Sequence, residues 1–420
     1  MNLPLLSVLA FATAILISCI SRINVGFLSI AFAFIIGVLL GGMSVAELIA
    51  GFPGSLFLTL LGVTLFFSQA KVNGTLDAIT RRSVKLARGN IGMIPLIFFV
   101  LAAALSTVGA GNIATTALLA PVAMSVAGRI GVSGFLMAIL VCSGANAGTF
   151  SPLAPPGVIA NGLLERIGIT GQAWPTYFNN FLAQTVVGLG GYFVLGGYKL
   201  FARRAADGAA ATDDFLRSPE DPLAWSQKFT VVLMALLIVA VSFLRVDVGM
   251  AAFIAAAILT LSRAADEEAA VKSVPWSVIL MVCGVTVLIS ILERKGGMDL
   301  FTTILARFAT ESSVTGVLAF VTGLISVYSS SSGVVMPAFL PTIPGLIEKL
   351  GGGDPIALAS AINVGTFLVD VSPVSTLGAL CLANAAPAED RRALFNKMLA
   401  WGLSMSVVGA VVCWVFFGLL

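Results

Sequence analysis

Four short stretches of small and polar residues interrupt an otherwise apolar chain. Two of them read Ser106-Thr-Val-Gly-Ala-Gly-Asn112 and Ser326-Val-Tyr-Ser-Ser-Ser-Ser332-Gly333. Each sits between two apolar arms, over 91–128 with a break at 106–112 and over 313–347 with a break at 326–333. The other two lie inside apolar runs and read Gly148-Thr-Phe-Ser-Pro-Leu-Ala-Pro155-Pro156-Gly157 and Gly365-Thr-Phe-Leu-Val-Asp370-Val-Ser-Pro373-Val-Ser-Thr376. Proline removes a helix donor and clashes with the preceding turn, so these runs are predicted to leave helical geometry. Backbone freed from a helix offers carbonyls that hold a cation and N–H groups that attract an anion. At membrane depth it is tolerated only where protein buries it or where it lines a cavity. The chemistry to expect is ion ligation and anion cradling.

Covalent catalysis is not expected. The chain has no histidine, which excludes Ser-His-Asp and Cys-His catalysis, histidine metal sites and histidine proton relays. The five cysteines, Cys19, Cys142, Cys283, Cys381 and Cys413, are far apart in apolar stretches. They read as small buried hydrophobes, without metal or disulfide spacing. No nucleotide-binding loop is present, so neither an enzyme nor a primary pump is expected of this chain alone.

The substrate-binding candidates are Asn112, Thr115, Thr149, Ser151, Pro155, Ser331, Ser332, Thr366, Ser372 and Pro373. The cation-ligating candidates are Ala110, Gly111, Asn112, Asn146, Gly148, Ser330, Ser332, Asn363 and Asp370. Asn146 and Asn363 stand at equal positions before the two proline breaks, suited to bracing the unwound backbone or ligating. Asp370 is the acid placed at membrane depth, where acids are costly and functional by default. It would ligate a cation or carry a proton; the plainer reading is a helix-end acid reaching water. Glu293, Arg294 and Lys295 lie at a helix end and read as solvated. Helix N-termini would supply positive potential for an anion, because no Lys or Arg is placed firmly at that depth. No organic cofactor is implied, and Na⁺ or H⁺ is the expected coupling ion.

The elements that must position these residues are membrane spans. Of 420 residues, 58% are hydrophobic and only 10% charged, against about 25% charged in a soluble domain. The mean hydropathy is +1.04. Segments long enough to cross about 30 Å of hydrocarbon lie near 4–21, 25–41, 54–70, 134–164, 174–202, 228–245, 247–264, 274–292, 355–385 and 391–420. The first is read as a retained span, since Met1 runs straight into it without a basic region or a cleavage motif. A polar linker over 203–227 divides an N-terminal membrane repeat, 1–202, from a C-terminal one, 228–420. Segments 74–89 and 296–311 precede the interrupted pairs and read as interfacial amphipathic helices, with Asp77, Arg81, Lys85 and Arg88 at helical spacing.

The halves repeat each other. Gly62-Val63-Thr64 recurs as Gly284-Val285-Thr286, Gly74 and Asp77 as Gly296 and Asp299, and Ser106 and Pro121 as Ser326 and Pro341. Asn146-x-Gly148-Thr149-Phe150 recurs as Asn363-x-Gly365-Thr366-Phe367. With each interrupted pair taken as a re-entrant hairpin, each half has five spans, an odd number, so the repeats are inverted. Arg166, Arg245, Arg294, Lys295, Arg307 and Lys349 then share the face of the termini, and the other 17 of the 23 Lys/Arg share the opposite one. The positive-inside rule makes that second face cytoplasmic and puts both termini outside, for a multi-pass protein of the cell's inner (plasma) membrane. The fold expected is all-α integral membrane: two inverted repeats of five spans, each with a re-entrant helical hairpin and a discontinuous helix. The small net charge of +3 does not suggest nucleic acid.

Two hairpins, two broken helices and inverted halves resemble the ion transporter superfamily, and within it the divalent anion/sodium symporter type. Gly-Asn112-Ile-Ala-Thr is similar to the Ser-Asn-Thr signature of that family's hairpin tips, and Pro155-Pro156 to the Pro-Pro of its unwound helix. The stretch Gly54–Leu76, with Gly62-Val-Thr-Leu-Phe-Phe and Val72-Asn-Gly-Thr-Leu, resembles the malonate/dicarboxylate carrier branch. Gly111 and Ile113 replace the signature's Ser and Thr, and the second tip keeps only the Ser. The resemblance implies a homodimer with a fixed scaffold and a transport domain that rides across the membrane, an elevator motion. It also implies secondary active transport of a small carboxylate, most readily a dicarboxylate such as malonate or a C4 diacid, driven by Na⁺ or H⁺. The alternatives carried with it are a cation/proton antiporter that uses Asp370, and an oxyanion permease of the arsenite type.

Overall fold

The computed structural model describes residues 2–20, 23–84, 90–202, 222–242, 244 and 246–418. The linker residues 203–221 lie outside the described residues, as do Arg22, Lys85, Arg88 and Arg245 from the charge count. Among the described residues the chain is helical throughout, with no β-strand. Six helical stretches are long and apolar enough to cross a bilayer by length and composition.

The chain opens with α1 (Leu3–Ile20) and α2 (Val25–Ala33), which continues as a π-helix over Phe34–Leu40. A short α3 (Val45–Ile49), α4 (Gly54–Val72) and α5 (Thr75–Val84) follow. Then come α6 (Met93–Leu105) and α7 (Gly111–Ile130), joined at the first tip, and α8 (Gly134–Ala147), the first proline break, and α9 (Pro155–Arg166). The half closes on α10 (Ala173–Val194). The same order then recurs. It runs α11 (Trp225–Ser242), α12 (Val248–Leu261), α13 (Glu267–Ser273), α14 (Trp276–Arg294) and α15 (Gly297–Ala306). The second hairpin is α16 (Val314–Ser326) returning through Ser331–Val335, α17 (Met336–Phe339) and α18 (Ile343–Leu350). The second broken helix is α19 (Pro355–Leu368) and α20 (Thr376–Ala383), and α21 (Arg391–Cys413) ends the series.

Polar side chains at the helix ends explain where these elements start. Asp247, Asp266, Asp354 and Asp390 each precede a helix and accept hydrogen bonds from its first free N–H groups, the usual work of an N-cap. Four of the chain's 20 acids are thus used to cap helices.

The outgoing hairpin arms are short, while the returning arm α7 has 20 residues. α6 and α16 have 13 residues each, about 20 Å at 1.5 Å per residue, which is less than the hydrocarbon thickness. The second tip differs from the sequence expectation: only 327–330 leave the helix, and Ser331–Val335 already form a π-turn. Pro337, Pro341 and Pro344 then keep its returning arm in short pieces, because each removes a backbone donor.

Two glycine crossings tie the halves together. α4 packs along α12 and α14 packs along α2. A Cβ on Gly284 would collide with the Gly26 carbonyl, and one on Gly62 would sit 2.5 Å from the carbonyl oxygen of Gly249. Each pair runs in the same direction. Gln69 donates to the Ala256 carbonyl and Asn73 to that of Ala264, further along both α4 and α12. In the matching place Lys295 Nζ donates to the Gly41 carbonyl at 2.8 Å. Lys295 is therefore a cap on α2 and only partly exposed, against its reading as a solvated helix-end charge. Glu293 and Arg294 are exposed as expected.

Replacing Gly284 with Ala should force this crossing apart, at a cost of about 1–3 kcal/mol for an overpacked contact. The check is the melting midpoint of purified Gly284→Ala in detergent, which should fall clearly below that of Gly190→Ala, where no neighbour lies within 4 Å and the backbone is helical.

Candidate functional site

The four interruptions meet at one place. Asn112 begins the second arm of the first hairpin, directly after Gly109 and Gly111, whose φ angles of 125° and 72° turn the chain where a side chain would be strained. Its amide Nδ2 donates to Asn146 Oδ1 at 2.8 Å. Asn146 sits in the last turn of α8 and donates in turn to the Phe367 carbonyl at 2.8 Å and to Asp370 Oδ2 at 3.3 Å. Asp370 lies in the 3₁₀ turn that ends α19. Its Oδ1 accepts from Ser331 of the second tip and from Ser375 of the second break, each at 3.0 Å. Ser331 also shares a 2.6 Å bond with Ser326. Asn180 of α10 holds the Asn146 carbonyl at 2.7 Å. The break loops cross at Phe150 and Phe367, whose rings are 5.0 Å apart edge to face.

Asp370 is 2% exposed, so the reading as a water-reaching helix-end acid does not describe it. It carries three hydrogen-bond donors, a number that suits an ionised carboxylate with acceptor sites on both oxygens. Its counterpart network in the other half is missing. Asn363 is fully buried, and neither its amide nitrogen nor its oxygen has a partner. Unpaired hydroxyls also remain on the buried Ser106, Thr115, Thr116 and Thr149.

Beside this network lies a pocket of about 180 Å³, between α4, the first tip and the start of α9. Asn112, Ala110, Gly111, Pro155 and Ser332, all singled out from sequence, line it. The first turn of α7 faces it through Gly111, Asn112, Ile113 and Ala114. Helix starts leave N–H groups without intrahelical acceptors. α9 contributes differently: Pro155 and Pro156 have no N–H, and the Gly157 N–H donates to the Thr149 carbonyl. α9 can therefore add only the positive end of its dipole. Among the lining residues there is no acid, and Lys71, in the last turn of α4, is the single charged side chain.

The other predicted residues serve elsewhere. Ser331 is committed to Asp370 and Ser326. Thr366 bonds back to the Ile362 carbonyl at 2.6 Å. Ser151 and Ser372 accept from the N–H groups of Leu153 and Val374 within their own loops, where Pro373 is a buried turn residue. Ser330 caps its tip by accepting from Gly333 N. Gly148 and Gly365 are close-packing positions: a Cβ on either would collide with a hairpin-arm carbonyl, Ala103 or Ala319. Among the described residues no cluster of three or more His, Cys, Asp or Glu side chains is placed to hold a metal ion. Sequence reasoning passed over Asn180 and Ser375, and counted Lys71 only as a face charge. For Ser375 a signal existed, five residues after Asp370 in the same break.

A second recess of about 580 Å³ opens at the opposite end of α4, lined by Gly54, Thr59, Pro152, Asn161, Arg166 and Asp247 among others. Between the two recesses α4 touches the first hairpin and α9. A Cβ on Gly109 would collide with the Phe67 ring, and one on Gly162 would lie 3.2 Å from Leu56.

The model of the family described as "Dicarboxylate carrier protein MatC N-terminus" matches residues 1–149. Two uncharacterized transporters of Mycobacterium tuberculosis are similar over most of their length. Rv2684 is 23% identical over 313 residues, covering 72% of this chain and 70% of its own. Rv2685 is 25% identical over 321 residues, covering 72% and 71%. The fold is shared with the Alcanivorax borkumensis YdaH transporter (TM-score 0.60, 17% identity, 89% of this chain and 87% of that one). It is also shared with Neisseria gonorrhoeae MtrF, described with a class of antimetabolite efflux pumps (TM-score 0.58, 14% identity, 91% and 84%). Together, the matched family and the transporter relatives support a transporter, and the helices make it a multi-pass membrane protein.

Proposed function

We propose that this protein is a secondary active transporter of a small dicarboxylate, coupled to Na⁺ or H⁺, and not an enzyme. The observation that carries the reading is the pocket at the first tip. It has no acid among its lining residues, one lysine, the start of α7, where Asn112 Oδ1 accepts from only the Ile113 N–H, and the dipole end of α9. Such a pocket favours an anion on electrostatic grounds alone. The dicarboxylate-carrier match over 1–149, which includes the first tip and Asn146, agrees with that substrate class.

Inverted repeats fit the packing. α2 and α4 are successive spans of the first half, and α12, the counterpart of α2, runs along α4 in the same direction. The short outgoing arms α6 and α16 fit re-entry, and the union of both tips with both breaks fits a site at half depth. The positive-inside assignment puts the mouth beside Lys71 on the cytoplasmic side. The recess at the far end of α4 is then the outward mouth, and alternating access is a movement of the hairpins and broken helices along α4. A homodimer and the two repeat units 1–202 and 228–420 remain part of this proposal through the family resemblance.

The test is uptake of labelled C3–C6 diacids into proteoliposomes under Na⁺ or H⁺ gradients. Saturable, gradient-dependent uptake is expected, and uptake of none of them would reject the proposal. Asn112→Ala and Ser332→Ala should each lower kcat/KM about tenfold, or ~1.4 kcal/mol of lost binding.

Asp370 is assigned to the coupling ion. Asp370→Asn should abolish concentrative uptake while substrate exchange at equal concentrations continues. Concentrative uptake at the wild-type level would leave Asp370 with a bracing role only.

A further inference from the structure

We infer that Lys71 makes the pocket selective for dianions, by holding the second carboxylate from the fixed helix α4 while the first tip holds the other. This rests on the reading that the pocket takes a carboxylate. Two sources of positive potential face the pocket from different elements. One is the start of α7 at Gly111 and Asn112, and the other is Lys71, a lining residue at the end of α4. A monoanion satisfies one of them and a short diacid can satisfy both. The walls beside Lys71 are apolar, with Phe67, Pro275 and Val278, and charge pairs strengthen as water is excluded.

Lys71 is also uncommitted. Lys272 is tied to Glu268 at 2.6 Å, next to the lining residue Ser273. Lys349 pairs with Asp299, and Lys295 caps the Gly41 carbonyl. Among the described residues Lys71 has no ion-pair partner, and it is exposed at the mouth. A plain helix-end cation would neutralise the dipole of α4 and reach into water. The repeat argues against fold demand alone, because the position 222 residues on, matching Lys71, carries Glu293. The second half keeps cations at this helix end, Arg294 in the last turn and Lys295 just after it, but they stand one and two places beyond the position that lines the pocket in the first half.

The experiment compares each transported diacid with its monoamide, malonate with malonamate and succinate with succinamate, in proteoliposomes. These pairs keep length and remove one charge. The readout is the ratio of monoamide KM to diacid KM. Lys71→Gln should collapse that ratio roughly tenfold, a magnitude between an exposed pair and a desolvated one. Lys71→Arg should restore most of it, and Lys272→Gln should leave it at the wild-type value. Unchanged melting and gel-filtration behaviour of Lys71→Gln would show that the fold is intact. If diacids are transported and Lys71→Gln leaves the ratio alone, or Lys272→Gln collapses it equally, the inference is overturned while the transport reading stands. If wild-type protein transports no diacid, both fall.

Discussion

Everything in this fold answers one constraint: peptide groups that leave a helix inside hydrocarbon must find partners within the protein. The chain leaves helical geometry four times within its apolar stretches, and it meets the cost by bringing the interruptions together. Asn146 is the joint. Its side chain accepts from Asn112 of the first tip and donates to the Phe367 carbonyl and Asp370 of the second break, while its own carbonyl is held by Asn180. Asp370 extends the joint to Ser331 of the second tip. A buried polar group left unpaired costs about 1–3 kcal/mol, so each of these bonds matters more here than at a surface.

The same constraint explains the glycines. Helices that carry polar interruptions must approach closely enough to shield them, and small residues allow backbones to meet. Gly148 and Gly365 let the hairpin arms lie against the broken helices, and Gly26, Gly62, Gly249 and Gly284 bind the long helices of the two halves. Gly157 and Gly378 mark the start of each half-helix, where the unwound loop folds over so tightly that any Cβ would strike a loop carbonyl.

The halves share a plan but not a chemistry. Asn146 and Asn363 occupy equal places, 217 residues apart. The first has a full set of partners and the second has none. Both side-chain partners of Asn146 differ in the other half, where Leu153 matches Asp370 and Ser332 matches Asn112. The pocket is lined chiefly by the first tip, where α7 begins at Gly111, and the second tip lends it Ser332 while Ser331 is taken by Asp370. One repeated order of helices thus carries a pocket with a single lysine at the first tip and a buried acid beside the second.

Composition and proline placement determined the all-helical membrane class, the two hairpins, the two broken helices and the repeated order. Each of these depends on local rules, on hydropathy over a span or on a missing donor, that need no partner from elsewhere in the chain. That Asn112, Asn146 and Asp370 would be buried polar groups in need of partners was legible for the same reason, because polar residues inside apolar stretches announce themselves. What Ser331, Thr366, Ser372 and Gly148 do was decided only by tertiary structure, since a hydroxyl or a glycine has several uses that differ only in which neighbour arrives. Lys71 is the clearest case. Along the sequence it is one of many basic residues at a span end, and only the packing of the first tip and the start of α14 against α4 turns it into the single charge of a pocket.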